Sequence, residues 1–180
     1  MQSSAAFVGR TAALAMLRQA WTDAAAARPR VVCLTGPAGM GKTTLAARFV
    51  AEHAGERLCW IGVDEDATPR PLALLARLVD DLDPDSTDAV ADGVDEFEAG
   101  AALLDALGAQ SRPRAVVVDD LQWADAASLT ALRFALRRLE AEPVLVILSL
   151  RSDAPTFPDD AMRRFLAEPR IGVCALDGLS

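Results

Sequence analysis

The sequence predicts an α/β domain in which a parallel β-sheet is wrapped by helices. Three observations point there. Short, continuous apolar runs recur five times along the chain, which suits strands buried on both faces rather than the alternating pattern of a half-exposed sheet. The segments between them place apolar residues three or four positions apart, the helical period. With 180 residues and 52% hydrophobic content there is material for one sizeable core, so residues 1–180 are read as a single domain.

The elements follow in order. Thr11 is a plausible helix N-cap, and Leu14, Leu17 and Trp21 after it mark one helix face. "RVVCLTG" (30–36) reads as a buried strand, and a helix from Lys42 to about His53 turns Leu45 and Phe49 inward. "RLCWIGVD" (57–64) is the second strand, followed by a helix with Leu72, Leu75, Leu78 and Leu82 on one face. Residues 83–94 are acidic, aperiodic and broken by Pro and Gly, the signature of a surface loop. Residues 95–110 predict a helix with Phe97, Ala101 and Leu104 inward. "RAVVVDDL" (114–121), "PVLVILSL" (143–150) and "RIGVCAL" (170–176) supply three further strands, separated by helices near 126–141 and 159–167.

Composition limits the functions available. The net charge of −8 argues against a nucleic-acid surface on this segment, because affinity for duplexes comes mainly from Lys and Arg neutralising phosphates. The start has no basic stretch followed by an apolar one, and no apolar run approaches a bilayer's width, so a cytoplasmic protein without membrane contact is expected. Cys33, Cys59 and Cys174 lack metal-type spacing and sit in apolar runs, as buried reduced thiols do. Tyr and Asn are absent and Ile is rare, a bias of GC-rich coding DNA that also explains why 17 of the 18 Lys and Arg side chains are Arg. The one remaining lysine, Lys42, therefore carries information.

Lys42 stands in "GPAGMGKTT" (36–44), where Gly36, Gly41, Lys42 and Thr43 match G-x-x-x-x-G-K-[ST] between a buried strand and a helix. In such a phosphate loop the glycines let the backbone curl so that successive N–H groups point into an anion. Pro37, Ala38, Gly39, Met40, Gly41, Lys42, Thr43 and Thr44 are thus the nucleotide-binding candidates, with the following helix adding its positive end. Lys42 reaches the β and γ phosphates, and the Thr43 hydroxyl ligates Mg²⁺.

"AVVVDDLQWAD" ends an apolar strand in two carboxylates, which suits the second half of such a site. Asp119 is the candidate Mg²⁺ holder and Asp120 the candidate base for the attacking water, the alternative for Asp120 being an acidic turn residue. Asp125 most simply caps the next helix, and Trp123 packs in the turn. At the end of the 143–150 strand Arg151 is placed to sense the γ phosphate, an ion pair with Asp153 being the alternative. Arg133, Arg137 and Arg138 read as a solvated helix face.

A guanine-reading Asn-Lys-x-Asp element is impossible in a chain with no Asn and one Lys, so ATP/ADP is the expected nucleotide. The strand at 57–64, lying between the loop strand and the Asp119 strand, resembles the additional-strand branch of phosphate-loop ATPases.

"FVGR" (7–10), "GPAGMGKTT", "VVVDDLQWADAASLTALRFALRRL" and "LSLR", in this order, resemble the ATPase core of the STAND class, and within it the large ATP-binding regulators of the LuxR type and related AAA-like modules. The resemblance covers about residues 7–178. It implies a three-layer, five-stranded P-loop NTPase fold. Phe7, Val8, Gly9 and Arg10 would line the adenine pocket, with slow, Mg²⁺-dependent hydrolysis driving a regulatory switch. It further implies that "LDGLS" (176–180) marks the passage into a helical lid and winged-helix region absent from this chain, with DNA bound by a missing C-terminal domain. Nucleotide-dependent self-association fits the same class. A different reading is an AAA-type ATPase or loader acting on DNA or protein; small-molecule kinase and inactive scaffold are further alternatives.

Overall fold

The structure, a computed structural model, describes residues 4–55, 57–65, 70–154 and 159–176; the side chains of residues 4–9 and 87 lie outside this description. Five parallel strands form one sheet among these residues: β1 (Arg30–Gly36), β2 (Leu58–Gly62), β3 (Arg114–Asp119), β4 (Val144–Arg151) and β5 (Ile171–Ala175), in spatial order β2-β3-β4-β1-β5. Uniformly apolar runs such as "VLVILSL" bury on both faces because helices cover both. On one face, α1 (Ser4–Ala25) and α2 (Lys42–His53) pack Leu17, Ala46 and Phe49 against Val32, Leu34, Val117 and Ile147. On the other, α3 (Ala73–Leu82), α4 (Glu96–Gly108), α5 (Ala126–Arg137) and α6 (Asp160–Leu166) cover Cys33, Val116, Val118 and Leu148. The result is the three-layer α/β architecture expected, with all five predicted strands present and their ends within two residues of expectation.

The order in space explains the site. β4 lies between β1 and β3, pairing with both, so the strand ending in Asp119 is separated from the strand leading into the glycine loop. The strand inserted between them is β4, while β2, the extra strand in sequence, sits at the sheet edge.

Three local expectations are corrected. Thr11 does not cap a helix: α1 already runs from Ser4, so Thr11 lies in its interior. In α4 the buried face is Ala99, Gly100, Leu103, Ala106 and Leu107, whereas Phe97 is 57% exposed, Ala101 is exposed and Leu104 only half-buried. Small Ala99 and Gly100 allow the close approach to α5, and the Phe97 ring is left at the rim, edge-on to Phe134 with 5.4 Å between centroids. Residues Pro84–Val90, expected as loop, form a 3-10 segment that packs Val90 into the core. "LDGLS" after Leu176 lies outside the described residues.

Capping follows short-range rules. Asp95 and Glu98 form a capping box at the start of α4, and Asp125 accepts from Ser128 N–H at 2.7 Å at the start of α5. Asp125 does more than cap, since its Oδ1 also accepts from Leu72 N–H at 2.9 Å, holding a residue with left-handed φ of 61° at the entry to α3.

Gly100 sets the α4–α5 distance, because a Cβ there would lie 2.7 Å from Phe134 Cδ1 and 2.8 Å from the Ala131 carbonyl oxygen. Gly100→Ala is expected to destabilise the fold by about 1–3 kcal/mol, as overpacking against backbone does, despite alanine's better helix propensity. A lowered thermal midpoint checks this; an unchanged or raised one would show that the two helices separate at no cost.

Candidate functional site

The site lies at the carboxyl ends of β1, β3 and β4, where a parallel sheet gathers its ligands. Buried Val31 to Leu34 carry β1 through the core, and the chain then turns at Gly36 into the loop. Gly39 (φ 74°) and Gly41 (φ 80°) both adopt left-handed backbone, which a side chain disfavours, and Gly41 is the N-cap of α2. Leu45 N–H donates to the Gly41 carbonyl at 2.9 Å, starting the helix whose first amides point back at the loop.

Lys42 is only 5% exposed. Its Nζ donates to the Gly36 and Pro37 carbonyl oxygens, both at 2.9 Å, so the ammonium lies folded on the loop. Burial pushes its pKa below the ordinary lysine value, while the charges of Asp120, Asp153 and Asp119 act in the opposite direction. Thr43 and Thr44 are exposed at the first turn of α2.

Asp119 ends β3, 7% exposed, and accepts from the Ser149 hydroxyl of β4. The same Ser149 Oγ accepts from Asp120 N–H at 3.0 Å. One hydroxyl thereby joins the two carboxylate residues to the neighbouring strand. Asp120 takes a left-handed conformation, φ 56° and ψ 46°, which turns its side chain out of the strand direction. Its Oδ1 accepts from Gln122 Nε2 at 2.9 Å, and Gln122 Oε1 accepts from Arg151 N–H at 3.0 Å. Gln122, 9% exposed, thus bridges the β3 turn to the end of β4.

Arg151 pairs in register with Gly36 and is half-buried. Its guanidinium makes a two-pronged ion pair with Asp153, Nε to Oδ1 at 3.1 Å and Nη2 to Oδ2 at 3.2 Å. The ion pair weighed from the sequence is the arrangement found. The carboxylate holds Arg151 above its already high pKa, and Arg151 holds Asp153 below the usual carboxylate range.

Beside the loop, a cavity of about 300 Å³ opens between α1 and α2, with Arg10, Thr11, Leu14, Gly41, Thr44 and Leu45 in its wall. A Cβ built on Gly41 would come within 3.0 Å of Arg10 Nη2, so the Arg10 guanidinium lies over the loop. The backbone of Phe7, Val8 and Gly9 belongs to the first turns of α1, and their side chains are outside the described residues.

The fold therefore brings Lys42, Thr43, Asp119, Asp120 and Arg151 to one edge of the sheet. Two residues of this constellation had no role assigned from the sequence, Ser149 and Gln122. Each has a visible signal: Ser149 is a polar residue near the end of an otherwise apolar strand, and Gln122 lies inside the "DDLQWAD" string. Arg133, expected on a solvated face, has a buried Nη1 without a hydrogen-bond partner among the described residues, whereas Arg137 pairs with Glu168 at 2.6 Å and Arg138 lies 3.5 Å over the Phe134 ring. Cys33 and Cys59 are buried free thiols, and burial pushes Cys33 up to about 12; Cys174 is only half-buried on the edge strand. No helix among the described residues is long and apolar enough to cross a membrane.

A parallel five-stranded sheet, a glycine loop feeding a helix, and an acidic strand end one strand removed together define a phosphate-loop nucleotide-binding domain of α/β class. The family model for the AAA ATPase domain matches residues 6–147, and the chain belongs to that family. Among curated proteins, the chromosome transmission fidelity protein 18 homolog of Homo sapiens is 26% identical over 153 residues. That match covers 82% of this chain but 13% of the relative, so the chain spans a small part of the relative's length. Among solved structures, the Aeropyrum pernix ORC1 protein in complex with DNA superposes with a TM-score of 0.61 at 18% identity, covering 92% of this chain and 44% of that one. Cdc6p from Pyrobaculum aerophilum gives 0.58 at 16%, covering 92% and 45%. These structural likenesses speak to the fold.

Proposed function

We propose that the chain is the ATP-binding and ATP-hydrolysing module of an AAA-type machine that acts on DNA or protein. The observation that carries this reading is the convergence of the Lys42 loop with the Asp119–Asp120 strand end across β4. In this role the loop amides and Lys42 bind the β and γ phosphates, and the cavity between α1 and α2 takes the nucleoside, with Arg10 in its wall and Phe7, Val8 and Gly9 just before it in sequence proposed to line the adenine pocket. Asp120 receives the proton of the attacking water, Arg151 contacts the γ phosphate, and Gln122 and Ser149 orient Asp120.

Mg²⁺ fits the same residues. Among the described residues no three His, Cys, Asp or Glu side chains gather into a metal cage. Mg²⁺ bound to a nucleotide needs none, since phosphate oxygens and water fill most of its shell and one hydroxyl and one carboxylate suffice. Thr43 and Asp119 supply these, and the ion would neutralise charge on the phosphates.

The relatives support the loader reading: one is a chromosome transmission fidelity protein homolog, and another was solved bound to DNA. The net charge of −8 argues against direct DNA contact by this segment. The "DDLQWAD" string favours a second reading, a slowly hydrolysing switch of a LuxR-type STAND regulator, which the relatives do not support. Turnover of ATP with and without Mg²⁺, together with sizing in ATP and in ADP, tests both. Mg²⁺-dependent hydrolysis with ATP-dependent assembly is the result expected of the loader. Hydrolysis by a chain that stays monomeric in both nucleotides would speak against an assembling machine and against an oligomeric switch alike, and absence of nucleotide binding would overturn the two readings together.

A further inference from the structure

We propose that Asp153 sets the preference of this site between nucleoside di- and triphosphate: its carboxylate takes the partners of a terminal phosphate, so that a diphosphate binds beside it and a triphosphate must expel it. This rests on the nucleotide-binding reading above and adds a residue to it that neither the motif nor the family match assigns.

The geometry starts from strand register. Arg151, the last residue of β4, lies opposite Gly36, the last residue of β1. The chain then turns over the start of the glycine loop, where Ser152 N–H donates to the Gly36 carbonyl at 3.2 Å. That turn brings Asp153 onto one cationic partner, Arg151, and into the neighbourhood of a loop amide and of Lys42. Arg151 grips both its oxygens, at 3.1 and 3.2 Å. The backbone amide of Ala38, inside the loop, lies near enough to help lower the pKa of the same carboxylate. The Lys42 ammonium feels its charge, second only to that of Asp120 among the carboxylates around it.

A guanidinium fork, a loop amide and a lysine ammonium are the set of donors that a transferable phosphoryl group draws in a phosphate-loop site. Asp153 binds the first of these and sets one negative charge near the other two at the loop's opening. Because Arg151 holds it below the usual carboxylate range, it is ionised at neutral pH and repels a second anion placed in the same position. A γ phosphate entering the site would compete with it for Arg151 and for the Ala38 amide. Its departure frees the guanidinium for the phosphate, so triphosphate binding and γ-phosphate sensing become one event. A β phosphate lying deeper on the α2 amides leaves the Asp153–Arg151 pair in place.

Calorimetric titration of the 180-residue chain with Mg²⁺-ADP and Mg²⁺-ATP, repeated on Asp153→Ala, tests this. Asp160→Ala serves as control for the loss of one exposed carboxylate, since Asp160 pairs with Arg163 on α6 rather than at the loop. Asp153→Ala is expected to tighten ATP about fivefold relative to ADP, the effect of one partly exposed ion pair, while Asp160→Ala leaves the ratio of the two constants unchanged. Should Asp153→Ala melt early, Asp153→Asn, which removes the charge and keeps the shape, is expected to move the ratio in the same direction. ADP binding with an ATP-to-ADP ratio unmoved or lowered in the Asp153 variants would overturn the proposal and leave the nucleotide site standing. Failure of the unaltered chain to bind either nucleotide would overturn both.

Discussion

Lys42→Ala is expected to weaken ATP binding by about a hundredfold or more, the consequence of losing the charge-assisted contacts that one buried ammonium makes to phosphate oxygens. No other lysine exists in the chain to substitute for it. The expected cost to the fold is smaller, about 1–2 kcal/mol, because Nζ gives up two hydrogen bonds, to the Gly36 and Pro37 carbonyls. Calorimetry with ATP and a thermal melt on the same protein separate the two effects. Unchanged affinity would remove Lys42 from the site. A collapse of the melting transition with no binding-competent protein left would make Lys42 a structural residue whose neighbours, not its charge, hold the nucleotide.

Asp120→Asn is expected to leave ATP binding nearly intact while slowing hydrolysis about 10²–10⁴-fold, the range that a positioned general base contributes. Asparagine suits the test because it tolerates the left-handed backbone that Asp120 adopts, and its side-chain oxygen still accepts from Gln122 Nε2. The backbone amide bonded to Ser149 is untouched. What the substitution removes is the capacity to take a proton. Single-turnover hydrolysis measured beside affinity reads this directly, and turnover unaffected by Asp120→Asn would reduce Asp120 to an acidic turn residue.

The parts of the site legible in the sequence are those whose chemistry is contiguous. Gly36 to Thr44 form one loop, so residue types and spacing alone call for a curled backbone with amides facing an anion, and the structure shows the left-handed glycines that make it. Asp119 and Asp120 were legible for a similar reason, as two carboxylates ending an apolar strand. The Asp125 cap is likewise local, because a side chain three residues from its target amide needs no tertiary help. Where expectation failed, hydrophobicity was weighed without its neighbours. Phe97 is the largest apolar side chain of α4 and still faces outward, since the small pair Ala99 and Gly100 is what lets α4 approach α5. Thr11 had the chemistry of a cap, but the helix had already begun seven residues earlier.

From the sequence by itself came the α/β class, the strands and their apolar character, the glycine loop with its lone lysine and the acidic strand end. Each depends on period, composition or short spacing. Tertiary structure alone decided that β4 enters the sheet between β1 and β3, and with it every contact that makes the site a network. Ser149 meets Asp119 and Asp120, Gln122 reaches Arg151, and Asp153 turns back onto Ala38 because parallel pairing brings together residues about 30 and 115 positions apart. Strand order is chosen by how helices cover both faces of the whole sheet, a global balance of buried apolar surface that no window along the chain contains.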